Sequence, residues 1–331
     1  MKSKLRPLRF FSNASGMEAA SVAWEPLGWE CVGLCDFGKL QQEVLKHHYP
    51  TVPLYTNMLN LLENENFKKT NYDVHIAGTP CQAFSDSGLR NGMDDDRAQL
   101  AITNGNIITE KSPWCFLWEN VVGVFDKQHR EGLRQILSNF TGCDIRAEDI
   151  FEGGGIIQGT KYSVAYRVLD SQYFGVPQRR RRIYVVGFRG SDWRLAAAVL
   201  FNQSSFEESK VSYRKKRDEI AQNILGQIKL AGTITRTFSI SQTDGFGQLS
   251  TSNYWPDDRG IRMFTERELL KIQGFPEDYL DMEINGKKLT YSQVKALVGN
   301  SMTVPVIRTI GERIQFVYEQ MSKRKDFVLS I

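Results

Sequence analysis

The sequence predicts an α/β fold, a parallel sheet covered by helices, on three observations. Short apolar runs alternate with amphipathic stretches through residues 1–190, the composition turns rich in Ser, Thr and Gly within 191–259, and helical patterning returns over 260–331. These three stretches are the expected units: a main domain, a small second module, and a C-terminal segment that rejoins the first.

Each element follows from its own pattern. "LRFFS" reads as a strand followed by the helix "GMEAASVAWEPLG", and "ECVGLCDF" as a strand followed by "GKLQQEVLKHHYP". "YDVHIAG" is a third strand running into a polar loop, and "WCFLWENVVGV" a fourth, ahead of the helix "EGLRQILSNF". "RRIYVVGF" closes this region, while the Gly-rich "FEGGGIIQG" reads as a flexible loop. The middle module carries "RLAAAVLFNQ", the basic "SKVSYRKKRDE" and few long apolar runs, which suits irregular or β structure. "TERELLKIQGFPEDY" and "YSQVKALVGNSMTVPVI" then restore helices.

Composition bounds the class. The chain has 331 residues, 41% hydrophobic and 24% charged, enough for one large domain and a smaller one. No apolar run approaches the roughly 20 residues that span a bilayer, and the first residues lack a signal-peptide core, so a soluble intracellular protein is expected. The five cysteines are odd in number and show no CxxC pairing, which suggests neither a disulfide framework nor a metal site. His47, His48, His75 and His129 have no ligand spacing and read as surface or core residues. A net charge of +4 with a pI near 8.7 permits a polyanionic partner without demanding one.

The chemistry-bearing residues gather at strand ends. "GTPCQAFSDSG" places Cys81 four residues beyond "YDVHIA", where open parallel sheets carry their sites. A thiol there is either an unreactive loop residue or a nucleophile held rigidly by Pro80. Glu119 in "WENV" ends the next strand, as a surface acid, a cap or a proton donor. In "VPQRRRRIYVVG" the arginines lead into a strand, so alternation sends Gln178, Arg180 and Arg182 to one face and Arg179 and Arg181 to the other.

These motifs, with "FFSNASGMEAAS", "TERELLKIQGFP" and "VGNSMTVPV", resemble in content and order those of the DNA cytosine-5 methyltransferases of bacterial and phage type, over about residues 8–306. The resemblance implies a Rossmann-like methyltransferase fold with a mixed, mostly parallel sheet plus a small target-recognition domain. It implies transfer of a methyl group from S-adenosylmethionine to cytosine C5 in double-stranded DNA, by a monomer, without a metal. The setting implied is the cytoplasm of a bacterial or phage-infected cell, within restriction and modification. Cys81 matches the nucleophile that adds to C6 of a flipped-out cytosine, with Gln82 beside it. Glu119 matches the acid at N3, and Arg180 the pocket arginine, with Arg182 its neighbour.

For the cofactor, Phe11 matches the aromatic residue near adenine and Asp36 the acid on the ribose. The same resemblance places Asn13, Ser15, Gly16, Met17, Phe37, Asn57, Met58, Gly78, Pro80, Leu100, Asn300 and Ser301 around the cofactor. It places Ser85, Gln178, Arg179, Arg181, Thr233, Ile234 and Arg236 on DNA, the last three in the "GTITR" signature. Asn13 and Ser15 stand where the family commonly has glycines, and Asn57 where it has an Asp. Their side chains would narrow or repolarise the space near the methionine moiety, so a carboxylated sulfonium is an alternative cofactor. The same motifs would also suit an RNA cytosine methyltransferase or a catalytically weak DNA-binding paralogue.

Overall fold

The computed structural model describes residues 5–79, 96–201, 254–257 and 260–324. In chain order it contains β1 (Arg9–Asn13), α1 (Ala19–Trp24), β2 (Glu30–Cys35), α2 (Lys39–His48), β3 (Leu54–Tyr55), α3 (Glu65–Lys69) and β4 (Val74–Ala77). There follow α4 (Asp96–Lys111), β5 (Cys115–Val121), α5 (Arg130–Thr141), β6 (Gly154–Ile157), β7 (Tyr162–Asp170), β8 (Arg181–Arg189) and α6 (Trp193–Leu200). The last elements are β9 (Tyr254–Asp257), β10 (Gly260–Met263), α7 (Glu266–Gln273), β11 (Glu283–Ile284), β12 (Lys287–Lys288), α8 (Tyr291–Asn300) and α9 (Val304–Met321).

One eight-stranded sheet runs β3-β2-β1-β4-β5-β8-β7-β6. It is parallel from β3 to β5, and β8, β7 and β6 join it antiparallel, so the sheet is mixed. The reason lies in the connections: β7 ends at Asp170 and β8 starts at Arg181, too short an interval for the helical crossover that a parallel pair needs. "FEGGGIIQG", expected as a loop, contains edge strand β6. Its glycines hide the strand signal but serve it, since a Cβ on Gly155 would come within 2.5 Å of the Tyr166 hydroxyl.

Strands β4 and β5 are buried along nearly their whole length, as strands covered on both faces must be. Neighbouring residues of β1 serve opposite cores: Phe10 packs with Trp24 and the C-terminal helices, Phe11 with Met58, Phe67 and Tyr72. The C-terminal segment closes the first of these cores. Trp24 of α1 donates its indole N–H to the Ile307 carbonyl of α9, 3.0 Å away, and Gly311 lets the helices meet there. Helix α6 packs on β7, β8 and α9, so the cover of the sheet extends through Leu200. The remainder of the expected second module lies outside the described residues, apart from β9, which pairs antiparallel with β10 of the C-terminal segment.

Candidate active site

The first crossover leaves β1 toward β2, and β4 returns on the other side of β1. A crevice therefore opens at the carboxyl ends of β1 and β4, the position where open α/β sheets bind ligands. The space there lies between Ser15 and Gly16 on one side, Gly78 on another, and Asn300, Ser301 and Met302 on the third.

The turn after β1 is held by its own polar groups. Ala14 and Gly16 both adopt left-handed conformations, with φ of 52° and 62°. The Ser15 hydroxyl donates to the Ser12 carbonyl at 2.9 Å and accepts the Cys35 N–H at 3.1 Å. Asn13 is 1% exposed and turns inward: its Nδ2 donates to Asn104 Oδ1 of α4 at 2.8 Å, and its Oδ1 accepts the Ala14 N–H. The expected narrowing of the cleft by Asn13 is thus corrected, because that amide is spent beneath the turn. The Ser15 hydroxyl is likewise bonded to backbone.

Asp36, just past β2, accepts from the Gly16 N–H and the Gly38 N–H, both at 2.8 Å. Burial nevertheless raises its pKa above the usual aspartate value. Next to it Phe37 is 81% exposed, an open aromatic face beside a carboxylate. Phe11, by contrast, is fully buried with ring centroids 4.8 Å from Phe67 and 5.4 Å from Tyr72, so it supports the pocket wall and leaves no open face. Met17 and Met58 are buried, and Leu100 packs half-buried against the Phe11 cluster. Asn57 caps the turn Met58–Glu63 through an Oδ1 bond to the Leu59 N–H.

On the other side of the crevice, β4 ends with Ala77 opposite Trp118, while β5 runs on to Val121, so that Glu119, expected at the strand end, lies within the strand. Thr79 is fixed between them: its hydroxyl accepts the Trp118 indole N–H at 2.9 Å. Gly78 is closely packed, since a Cβ there would lie 2.7 Å from Met302 Cε and 3.5 Å from Glu119 Oε2. Glu119 is buried at the crevice, and Arg182 Nε lies 3.3 Å from its Oε1. Burial raises the Glu119 pKa, while Arg182 and then Arg180 pull it down.

The alternation of the basic run holds: Gln178 and Arg180 are buried, Arg179 and Arg181 exposed, Arg182 half-buried. The two inward arginines do different things, and it is Arg182 that meets the carboxyl. Arg180 donates to the Gly299 carbonyl at 3.2 Å and the Ser301 carbonyl at 2.9 Å, tying down the end of α8 as a cation does at a helix C-terminus. Gln273 adds a bond to the same Ser301 carbonyl at 2.6 Å. Asn300, the exposed last residue of α8, and buried Ser301 are thereby set against the cleft. Gln178 is fully buried, and among the described residues neither the oxygen nor the nitrogen of its amide has a partner.

Pro80, Cys81, Gln82, Ser85, Thr233, Ile234 and Arg236 lie outside the described residues. Sequence reasoning passed over Asn104 and Glu18. Asn104 falls on the buried stripe of α4 between Ala101 and Ile108, and a polar residue at such a position is the signal that was present. Glu18, in a left-handed conformation, caps α1 by accepting from the Ser21 N–H; complete burial pushes its pKa up to about 7. Cys31 and Cys35 have thiols pushed up by burial, that of Cys35 to about 12. Among the described residues no group of three or more His, Cys, Asp or Glu could hold a metal, and no helix is long and apolar enough to cross a membrane.

A mixed α/β sheet with a ligand crevice at its switch point, flanked by a buried carboxyl and arginine, defines a Rossmann-like enzyme class. The model of the C-5 cytosine-specific DNA methylase family matches residues 8–233 and 203–316, and the chain belongs to that family: it is a DNA methyltransferase. The Type II methyltransferase M.NgoBI of Neisseria gonorrhoeae is 27% identical over 94% of each chain. M.HpaII of Haemophilus parainfluenzae is 27% identical over 92% of this chain and 88% of its own. A protein of Escherichia phage P1 named DNA N-6-adenine-methyltransferase is 34% identical over 67% of this chain, which spans only 33% of that longer protein. Among solved structures, Schizosaccharomyces pombe Dnmt2 shares the fold with a TM-score of 0.59 at 17% identity, covering 95% of this chain and 99% of its own.

Proposed function

We propose that the protein methylates C5 of cytosine in double-stranded DNA, acting as a monomer on a base flipped out of the helix. The observation that carries this reading is the buried Glu119 carboxyl, paired with Arg182 and adjoining Gly78, three residues before Cys81 in the chain.

Cytosine C5 is a poor nucleophile. The Cys81 thiolate forms a bond to C6, and the electron pair displaced from the C5–C6 double bond moves through the ring toward N3 and O2. A protonated Glu119 donates to N3, which is the protonation state that its burial favours. Arg182 faces the same ring and stabilises charge developing on O2 and on the carboxylate as it loses its proton. S-adenosylmethionine, when bound, supplies an electrophilic methyl for C5. The chain then ends the cycle by loss of the C5 proton to a base and departure of the Cys81 sulfur as thiolate, restoring the double bond.

The crevice suits that cofactor. Asp36 can accept the ribose hydroxyls, Phe37 offers a ring face to the adenine, and the left-handed Gly16 has open space where a side chain would stand. The inward turn of Asn13 removes the motive for a carboxylated sulfonium, so ordinary S-adenosylmethionine is the reading we adopt. Residues 202–253 would carry target recognition, with Thr233, Ile234 and Arg236 reaching bases and the "YRKKR" run reaching phosphates.

Expression in a host lacking cytosine methylation, with mass spectrometry of the nucleosides and mapping of modified bases, tests this. The expected product is 5-methylcytosine in DNA, absent with Cys81→Ser. N6-methyladenine, modified transfer RNA, or unchanged activity in Cys81→Ser would overturn it.

A further inference from the structure

Four buried polar side chains form one chain of hydrogen bonds beneath the cofactor turn. Asn13 Oδ1 accepts the Ala14 N–H, so its Nδ2 must be the donor to Asn104 Oδ1 at 2.8 Å. That same oxygen lies 2.8 Å from His75 Nε2, which therefore carries a proton and donates. His75 Nδ1 is then left as the acceptor for the Tyr72 hydroxyl at 3.2 Å. Burial holds His75 neutral, with a pKa near 4, so the tautomer stays fixed at physiological pH.

Three elements meet at this oxygen: Asn13 ends β1, His75 sits on β4, and Asn104 on α4. The segment joining β4 to α4 contains Cys81. Among the described residues Asn104 Nδ2 is buried without a partner, an orientation that leaves the carbonyl to accept twice.

The geometry points to Asn104 and Asn13 as positioning residues that lock the cofactor turn to both flanks of the nucleophile segment, fixing the methyl donor and Cys81 in register for transfer. This inference rests on the cytosine methyltransferase reading. The two residues act through the β1 turn and through β4 and α4, where misplacement by an ångström is expensive in rate.

The test is single-turnover methylation of duplex DNA with trapping on 5-fluorocytosine. Asn104→Ala should slow transfer about tenfold or more while the binary affinity for S-adenosylmethionine changes less than about threefold, and Asn104→Asp, which keeps an acceptor oxygen, should recover most of the rate. Asn13→Gly should slow transfer similarly, and the Asn13→Gly/Asn104→Ala pair should be no slower than the worse single variant. A folded Asn104→Ala with wild-type rate, a rate loss that merely tracks the unfolded fraction, an Asn104→Asp as slow as Asn104→Ala, or additive losses would overturn the inference. Wild-type protein that traps no DNA at all would instead remove the underlying reading, and the inference with it.

Discussion

Arg182 Nε stands 3.3 Å from Glu119 Oε1 where β5 and β8 pair, with Val121 opposite Arg182. Two opposing influences meet on that carboxyl: burial favours its neutral form, and the guanidinium favours its charged form. A group whose work is to hold a proton and then release it needs such a balance.

The balance sets a pH dependence. Glu119 must be protonated to donate, so the rate of transfer should fall as pH rises through its raised pKa. Arg182→Ala removes the larger of the two influences that lower this pKa, so the falling limb should move to higher pH even as the maximal rate drops. Glu119→Gln keeps a donor amide but can release no proton; a loss of about 10²–10⁴ in single-turnover rate, with DNA affinity largely retained, is expected. Stopped-flow pH profiles of the three proteins check this, and an unmoved limb in Arg182→Ala would contradict it.

Arg180 should behave differently from Arg182. Its guanidinium is bonded to the Gly299 and Ser301 carbonyls, so Arg180→Met should lower stability by about 2–4 kcal/mol and weaken cofactor binding through the displaced end of α8. The pH limb of the transfer step should move less than in Arg182→Ala, because Arg180 is the smaller of the two influences on Glu119. Urea unfolding and calorimetric titration separate the two arginines; equal pH effects would put both on the carboxyl.

Gly311 offers a test of the C-terminal closure. In an ordinary helix interior, Gly→Ala stabilises by about 0.8–1 kcal/mol. Here the new Cβ would overlap the Trp24 indole that bonds to the Ile307 carbonyl, so Gly311→Ala should destabilise by about 1–3 kcal/mol. The sign of the change in urea midpoint decides the matter.

Much of this was legible because strand-end chemistry is local. The alternating arginines could be placed from the period of two and from the apolar run that follows them, and the alternation holds; Glu119, expected at the end of its strand, falls two residues inside β5, which runs on to Val121. What was not legible was long-range. Nothing in "QRRRRI" says which inward arginine meets Glu119 and which reaches α8, over a hundred residues away, because that depends on where the C-terminal segment returns. Asn13 looked like an intrusion into the cleft because its partner, Asn104, is remote in sequence. Strand β6 was missed because its glycines answer to Tyr166, which a local reading cannot see.

Glu18 gives a prediction that depends on none of the chemistry. It is completely buried at the start of α1, and its pKa of about 7 lies well above the 4.5 of a free glutamate. Between those values the folded protein holds a proton that the unfolded chain has lost, so the unfolded state binds fewer protons and stability falls as pH rises through this window. The difference corresponds to roughly 3 kcal/mol lost by pH 8 relative to pH 4 from this group alone. Glu18→Gln keeps the oxygen that accepts from the Ser21 N–H and hydroxyl but has nothing to ionise. The variant should match the wild type near pH 5 and exceed it in thermal midpoint near pH 8, with the gap opening between. A gap that stays constant with pH would mean that the Glu18 carboxyl is already charged in the folded state at low pH.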